Sequence, residues 1–446
     1  MRRLVMIVVL LVAVGAGAWF YLDLGLDDVG LGGLNIPGFN QAPDGPVVLT
    51  MDCSSVGREY ELCVDRLEVF MERTGYRVIP KPGPTDASLH LSVLQELSLT
   101  RSQGLDVYAV DVIWPGILAE DLLDLREYFS PADLSDFFTA IVDNNTVGDR
   151  LVAIPYYTDA GLLYYRTDLL ERYGFDGPPA SWAELEEMAQ VIQAGERAAG
   201  NDAFWGFVWQ GRQNEGLTCD ALEWFASEGA GRIVEIDGTI SATPNNQQAI
   251  EALGRAQRWV GTISPENSPE IDEEASRAIW QSGNAAFMRN WPYAYALGNS
   301  EDSPVRGLFD VGPLPSGEAG SAATLGGWQL AVSKYSRFPD EAAELVRFMT
   351  GTETQKYLAI EGSYNPTRLS LYNDPDILAA NPFFGSMLDI LNGAVARPST
   401  VTGTDYEAVS TVFHTQVNEV LRGETTPEQA LRTVEQNLVS LRGEGW

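Results

Sequence analysis

Val47-Val48-Leu49-Thr50-Met51 is a short apolar run, and the elements next in the chain decide the architecture. A helical stretch near residues 59–74 carries Cys63, Leu67, Phe70 and Met71 on one stripe, and Tyr76-Arg77-Val78-Ile79 then resumes a strand-like run. Strand, amphipathic helix, strand is a β-α-β opening. Further on, a second helix through Leu91, Leu94 and Leu97 leads to Val107-Tyr108-Ala109-Val110, a buried strand whose carboxyl end delivers Asp111 and Trp114. Ligands of open α/β sheets bind at such strand ends. Leu151-Val152-Ala153-Ile154-Pro155-Tyr156-Tyr157 reads as a strand stopped or bent by Pro155, and Leu162-Leu163-Tyr164-Tyr165 resumes soon after, which suits a crossing between two lobes.

The rest of the chain repeats this alternation. Ser181-Trp182-Ala183-Glu184 is a capping box ahead of Leu185, Met188 and Ile192, and Thr426-Pro427-Glu428-Gln429 repeats the device with Pro at the first helical position. Leu325-Gly326-Gly327-Trp328-Gln329-Leu330-Ala331-Val332 is a Gly-rich turn feeding a strand, and Pro339 starts the next helix. No internal repeat or low-complexity tract interrupts the pattern. The implied architecture is α/β, two lobes joined by more than one chain crossing, with loops of both facing a cleft.

The 446 residues hold 62 Asp and Glu against 29 Lys and Arg, a net charge of −33. Such a surface repels phosphate backbones and anionic lipid, so nucleic acid is excluded as a natural partner. Only His90 and His414 are histidines, so a His-rich metal centre cannot be assembled, and HExxH, GxxxxGK[ST], GxSxG and CxxC are all absent.

Met1-Arg2-Arg3 followed by an uncharged run from Leu4 to Leu22 is an export segment or a membrane anchor. Ala16-Gly17-Ala18 suits cleavage, while the length of the run suits spanning. Residues 23–45, rich in Gly and Pro, read as a flexible linker, and the folded part starts near Pro46. Among Cys53, Cys63 and Cys219 only the first two are close enough in sequence to suggest a pair. The stripe position of Cys63 favours a buried thiol over the pair.

Aromatics gather beside turn residues: Trp114-Pro115-Gly116, Tyr156-Tyr157 before Asp159, Trp291-Pro292-Tyr293 and Gly326-Gly327-Trp328. A sugar needs this mixture, with planes for its C–H faces and carboxylates, Arg and backbone N–H groups for its hydroxyls. Asp111 and Asp159 each follow an apolar run and are either loop caps or ligand acceptors. Two carboxylates at one cleft also suit glycoside hydrolysis, which stands as the rival chemistry.

Several stretches together resemble the extracellular solute-binding proteins of ABC importers, specifically the trehalose/maltose-binding group. They are Asp106–Trp114, Tyr157–Arg166, Phe204–Gly211, Glu215–Asp220, Gly283–Ala294 and Ala322–Trp328, and the resemblance runs from about Val47 to the carboxyl end. It implies a maltose-binding-protein-like (type II) fold of two α/β lobes that close on one sugar and present it to a membrane permease, without covalent chemistry. The amino-terminal lobe would comprise 46–156 and 307–352, and the carboxyl-terminal lobe 157–306 and 353–446. Carried over position by position, Glu59, Asp111 and Asp159 would accept sugar hydroxyls beside Tyr157. Trp291, Tyr293 and Trp328 would stack on the rings, Gly327 would supply an N–H, and Arg397 a donor fork. His90 stands where relatives often carry Arg, and a neutral imidazole offers one donor and one acceptor in place of a fork, which leaves the second ring of the ligand open. The resemblance further implies a monomer at the outer face of the cytoplasmic membrane or in the periplasm, an α-glucoside ligand of the trehalose or maltose type, and no metal or cofactor. A non-sugar osmolyte is the alternative ligand.

Overall fold

The computed structural model describes residues 46–235 and 246–443. The leader read over 1–22 and the linker over 23–45 lie outside them. The opening unit consists of β1 (Val48–Asp52), α1 (Glu59–Thr74) and β2 (Arg77–Lys81), with the two strands parallel. Helix α1 starts where the Glu59 carboxylate accepts the Val56 N–H at 3.2 Å, and stops at Gly75, whose φ of +76° and N–H bonded to the Met71 carbonyl form a left-handed cap. Its inner face buries Leu62, Cys63, Leu67 and Phe70. Cys63 is both buried and joined to Cys53 in a disulfide, and Cys219 is free and buried.

Helix α2 (Ala87–Leu99), capped by the Asp86 carboxylate on the Leu89 N–H, leads to β3 (Val107–Asp111). The chain continues through β4 (Ile154–Ala160), β5 (Leu162–Arg166), α3 (Trp182–Ala198), β6 (Trp205–Val208), α4 (Glu215–Ser227), α5 (Glu273–Ile279) and β7 (Ala285–Asn290). It ends with β8 (Phe309–Gly312), β9 (Leu325–Val332), β10 (Asn365–Pro366), α6 (Tyr406–Leu421) and α7 (Pro427–Arg442). One six-stranded sheet has the order β10-β4-β9-β3-β1-β2 and one four-stranded sheet the order β8-β5-β7-β6.

Strand β3 shows why the larger sheet sits in the middle of its lobe. Val107 and Ala109 join Leu49, Leu67, Phe70 and Leu330 on one face, while Tyr108 and Val110 join Leu91, Leu94 and Trp114 on the other. A strand apolar on both faces is buried on both, as layered α/β sheets require. The smaller sheet packs with α3, α4, α6 and α7 around Trp182, Trp209, Trp224, Trp259, Phe287, Phe413 and Leu431.

The crossings fall at different residues from those expected. Pro155 neither stops nor bends the chain out of the sheet: β4 runs on to Ala160, and the ladder with β9 absorbs the proline by a register shift between Trp328 and Gln329 that passes over Tyr156. The first crossing is therefore at Gly161, not at 156. The return at 307 is also too early, because Phe309–Gly312 pairs with Leu163–Arg166 in the smaller sheet and Leu314, Ala322 and Ala323 belong to its core. The chain rejoins the larger sheet only at Leu325. Nor does it leave at 353, since Leu358 and Tyr364 pack in the first core and Asn365–Pro366 forms the outer strand beside β4. At Ser181 only half of the capping box forms: its hydroxyl accepts the Glu184 N–H, but the Glu184 carboxylate takes the N–H of Ala180.

Removing the disulfide with Cys53→Ser and Cys63→Ser together should lower the unfolding free energy by about 2–3 kcal/mol, the chain-entropy value for so short a loop. Denaturant titration reads the loss, and thiol titration of the denatured, unreduced protein should find Cys219 alone. Reaction at all three cysteines would rule out the pairing.

Candidate functional site

A cleft opens between elements of the two sheets, and its lining comes largely from strand ends and from the first turns of helices. Asp111 ends β3, Asp159 lies near the end of β4, and Gly326, Gly327 and Trp328 come from β9. Glu59 is the first residue of α1, Asp86 and Ala87 begin α2, Asn214, Glu215 and Gly216 begin α4, and Asp272, Glu273 and Glu274 begin α5. Helix amino termini favour negative charge and offer unpaired N–H groups, which is why acids can stand there. Trp291 and Tyr293, just past β7, add aromatic surface, with Tyr364 and Arg397 completing the wall.

Gly327 lets two strands of the larger sheet approach closely. Its φ is +125°, and a Cβ there would lie 2.6 Å from the Tyr157 carbonyl oxygen and 2.7 Å from the Thr158 Cα. Only glycine fits, so β9 lies tight on β4 and brings Trp328 opposite Asp111 in the ladder with β3.

Arg397 joins the two sides of the cleft. It donates to Asp111 Oδ1 at 3.0 Å and to Glu215 Oε1 at 2.9 Å, with all three side chains buried. Glu215 also accepts the Tyr406 and Ser410 hydroxyls at 2.5 Å each, which ties α4 to α6. Asp86 and Asn214 meet across the cleft at 3.2 Å while each caps its own helix.

The carboxyls here are perturbed mainly by desolvation. Burial pushes Asp159 up to about 8, helped by the negative charges of Glu59 and Asp111. Burial likewise lifts Glu59 to about 7 against hydrogen bonds from Ser54, Tyr157 and the Val56 N–H. Asp111 is raised by burial, with Arg397 opposing, and burial also raises Glu273.

Of the ten residues carried over from the family resemblance, Glu59, Asp111, Asp159, Trp291, Tyr293, Gly327, Trp328 and Arg397 line this one cleft. Tyr157 does not. It is buried behind the wall, where its hydroxyl donates to Glu59, and it borders a smaller adjoining cavity. His90 is the larger departure, being only 1% exposed. Its ring sits 5.2 Å from Trp328 and 5.5 Å from Trp114, and its Nε2 lies 2.5 Å from Asp52 Oδ2. The reason is helical spacing: position 90 shares the inward stripe of Leu94 and Leu97, so the imidazole props Trp328 from behind instead of reaching the cleft. Trp114 is likewise core, edge-on to Trp328 at 5.3 Å. The residues that sequence reading passed over are Asp86, Asn214, Glu215, Glu273, Glu274 and Tyr364. The polar ones among them stand at or beside helix starts, the one signal in the sequence that could have found them.

Comparison with known proteins gives one consistent set of relatives. The profile of the bacterial extracellular solute-binding protein family matches residues 68–356. A probable ABC transporter-binding protein of Deinococcus radiodurans is 48% identical over 401 residues, covering 90% of this chain and 95% of its own. A mannitol-binding protein of Pseudomonas aeruginosa is 25% identical over 332 residues, covering 69% of this chain and 73% of its own. Among solved structures, maltose-bound T. maritima MalE3 superposes with a TM-score of 0.83 at 38% identity, over 89% of this chain and all of that one. These similarities agree with the two-lobe, type II architecture.

Replacing Arg397 with Met strands the Asp111 and Glu215 carboxylates in a buried place. The expected cost is about 3–5 kcal/mol of unfolding free energy, the usual result of removing one partner of a buried ion pair. Urea denaturation at neutral pH measures it, and a change below about 1 kcal/mol would mean that water reaches these acids.

Proposed function

The chain belongs to the bacterial extracellular solute-binding protein family, and from that premise we propose that it is the receptor of an ABC sugar importer, taking an α-glucoside disaccharide of the maltose or trehalose type. The observation that carries this reading is the composition of the cleft. Three aromatic rings, Trp291, Tyr293 and Trp328, share one cavity with Glu59, Asp111, Asp159 and Arg397. Ring faces suit sugar C–H surfaces, and the carboxylates and guanidinium suit hydroxyls of either polarity. Likeness to maltose-bound MalE3 supports the α-glucoside, and the weaker likeness to a mannitol-binding protein shows that a polyol-binding protein is among the relatives.

Function then follows from closure. Asp111 belongs to the larger sheet, while Arg397 bonds Glu215 on the side of the smaller one. A sugar that touches both sides favours the closed arrangement by its differential affinity, and the closed form is what a permease would receive. No bond in the sugar is broken. Because His90 is sealed behind Trp328, it offers no fork to a second ring, so any grip on that ring would come from the wall itself, which includes Asp86 and Tyr364. Residues 1–22 would carry the chain out of the cytoplasm as a cleaved signal or hold it at the outer face, where it would act as a monomer and touch membrane only through that segment. Among the described residues no helix is long and apolar enough to cross a membrane.

Isothermal titration with maltose and trehalose, run beside product analysis, tests the reading. Saturable binding without release of glucose is expected, and glucose appearing in the mixture would turn the case toward hydrolysis. Trp291→Ala should weaken binding by more than about 1 kcal/mol, as loss of a buried aromatic anchor does. An unaltered affinity in the folded variant would remove Trp291 from the site.

Binding should also depend on pH with a defined sign. Sugar hydroxyls that donate to Glu59 and Asp159 favour the ionised carboxylates, whose protonation midpoints lie at about 7 and about 8. Ligand binding lowers both midpoints and releases protons, so affinity rises from about pH 6 to about pH 9. Binding heats in buffers of different ionisation enthalpy count the protons. Proton uptake, or affinity that falls over this range, would mean that these groups bind as acids.

A further inference from the structure

Behind Trp291 lies a charged assembly that no part of the cleft chemistry uses directly. Arg289, on β7, is 1% exposed and its guanidinium carbon sits 3.9 Å from the centroid of the Trp291 ring, a stacking distance. The fork is fixed on three sides. Its Nε and one terminal nitrogen donate to the two oxygens of Glu223 at 2.9 and 2.5 Å, the other terminal nitrogen donates to Gln210 Oε1 at 3.0 Å, and Asp220 lies 3.4 Å from Nε. Gln210 returns a hydrogen bond from its amide to the Arg289 carbonyl. The same Glu223 accepts the Thr324 N–H at 3.0 Å, just where the chain enters β9.

The surroundings crowd this group closely. A Cβ on Gly161 would collide with the Glu223 carboxylate and lie 2.7 Å from the Arg289 guanidinium, so the crossing between β4 and β5 is open there only because that residue is glycine. A Cβ on Gly326 would lie 3.1 Å from the edge of the Trp291 ring. The Trp291 backbone is held at both ends, its N–H by the Asn290 side chain at 2.8 Å and its carbonyl by the Tyr164 hydroxyl at 2.7 Å.

A buried ion pair is a poor way to obtain stability, because desolvation offsets most of the attraction. A planar fork bonded on three sides is, however, a good way to define one plane. From this geometry we infer that Arg289 is a positioning residue for ligand recognition: its guanidinium is the fixed backing plate that holds the Trp291 ring at the attitude in which it faces the cleft. Lysine at this position keeps the charge but has no plane to stack and cannot meet Glu223 and Gln210 together. An indole free to tilt must be reordered when the ligand arrives, and that ordering is subtracted from affinity. The inference rests on the sugar-binding reading proposed above.

The test is a double-variant cycle in the full-length chain with maltose and trehalose as probes. Arg289→Lys should weaken binding of whichever sugar the wild type takes by at least tenfold, with far-ultraviolet circular dichroism unchanged. In a Trp291→Ala background the same Arg289→Lys change should alter affinity by less than twofold, because the plate has nothing left to support. The tryptophan emission lost on Trp291→Phe should differ, without ligand, between the wild-type and Arg289→Lys backgrounds, a readout that general destabilisation of the lobe does not move. Where Arg289→Lys does not fold, Glu223→Gln keeps an acceptor for Thr324 while loosening the fork, and the same cycle is run with it. Losses that multiply in the double variant, or an Arg289→Lys affinity within twofold of wild type, overturn the inference. Absence of any binding of either sugar by the wild-type chain overturns the reading beneath it as well.

Discussion

A carboxylate taken out of water must meet a donor, and the interior of this cleft is arranged around that requirement. Glu215 is met by Arg397, Tyr406 and Ser410, Glu59 by Tyr157 and the Val56 N–H, and Asp111 by Arg397. Arg397, Tyr406, Ser410 and Tyr157 are all far in sequence from the acids they meet, so satisfying the acids also fixes the walls. Helix starts supply the remaining tolerance, because the first turn of a helix leaves its backbone N–H groups unspent. Beyond the cleft the same holds for Glu223, met by Arg289 and the Thr324 N–H, and for Asp52, met by His90.

Much of the fold is legible in the sequence, because period and length speak directly for local structure. The β-α-β opening, the buried strand ending at Asp111 and the strand from Leu325 to Val332 all form where the pattern puts them. The sheet to which a strand belongs is not legible. Phe309–Gly312 is as apolar as its neighbours, and only its pairing with β5 assigns it to the smaller sheet. Pro155 misleads for a similar reason: a missing N–H predicts a break, but a shift in the ladder that passes over Tyr156 of its own strand keeps β4 paired.

The cleft is legible where side chains are conspicuous for their setting. Trp291, Tyr293 and Trp328 stand beside turn residues, and Asp111 and Asp159 end apolar runs, so each invites attention alone. Glu215 and Glu273 do not, since an acid in the first turn of a helix is ordinary. His90 fails in the opposite direction. Only the family resemblance puts it at the ligand, whereas its partner Asp52 is 38 residues away and invisible to local pattern.

The acids of the cleft stand on the opening turns of α1, α2, α4 and α5 and at the ends of β3 and β4, and the aromatic rings on strands and the loops that leave them. No single backbone segment carries the whole recognition surface. An inherited change at one helix start can therefore alter the reading of one hydroxyl while the other contacts keep their places, so that a lineage of such proteins can drift from one cargo to another by single steps, each of which leaves a working receptor.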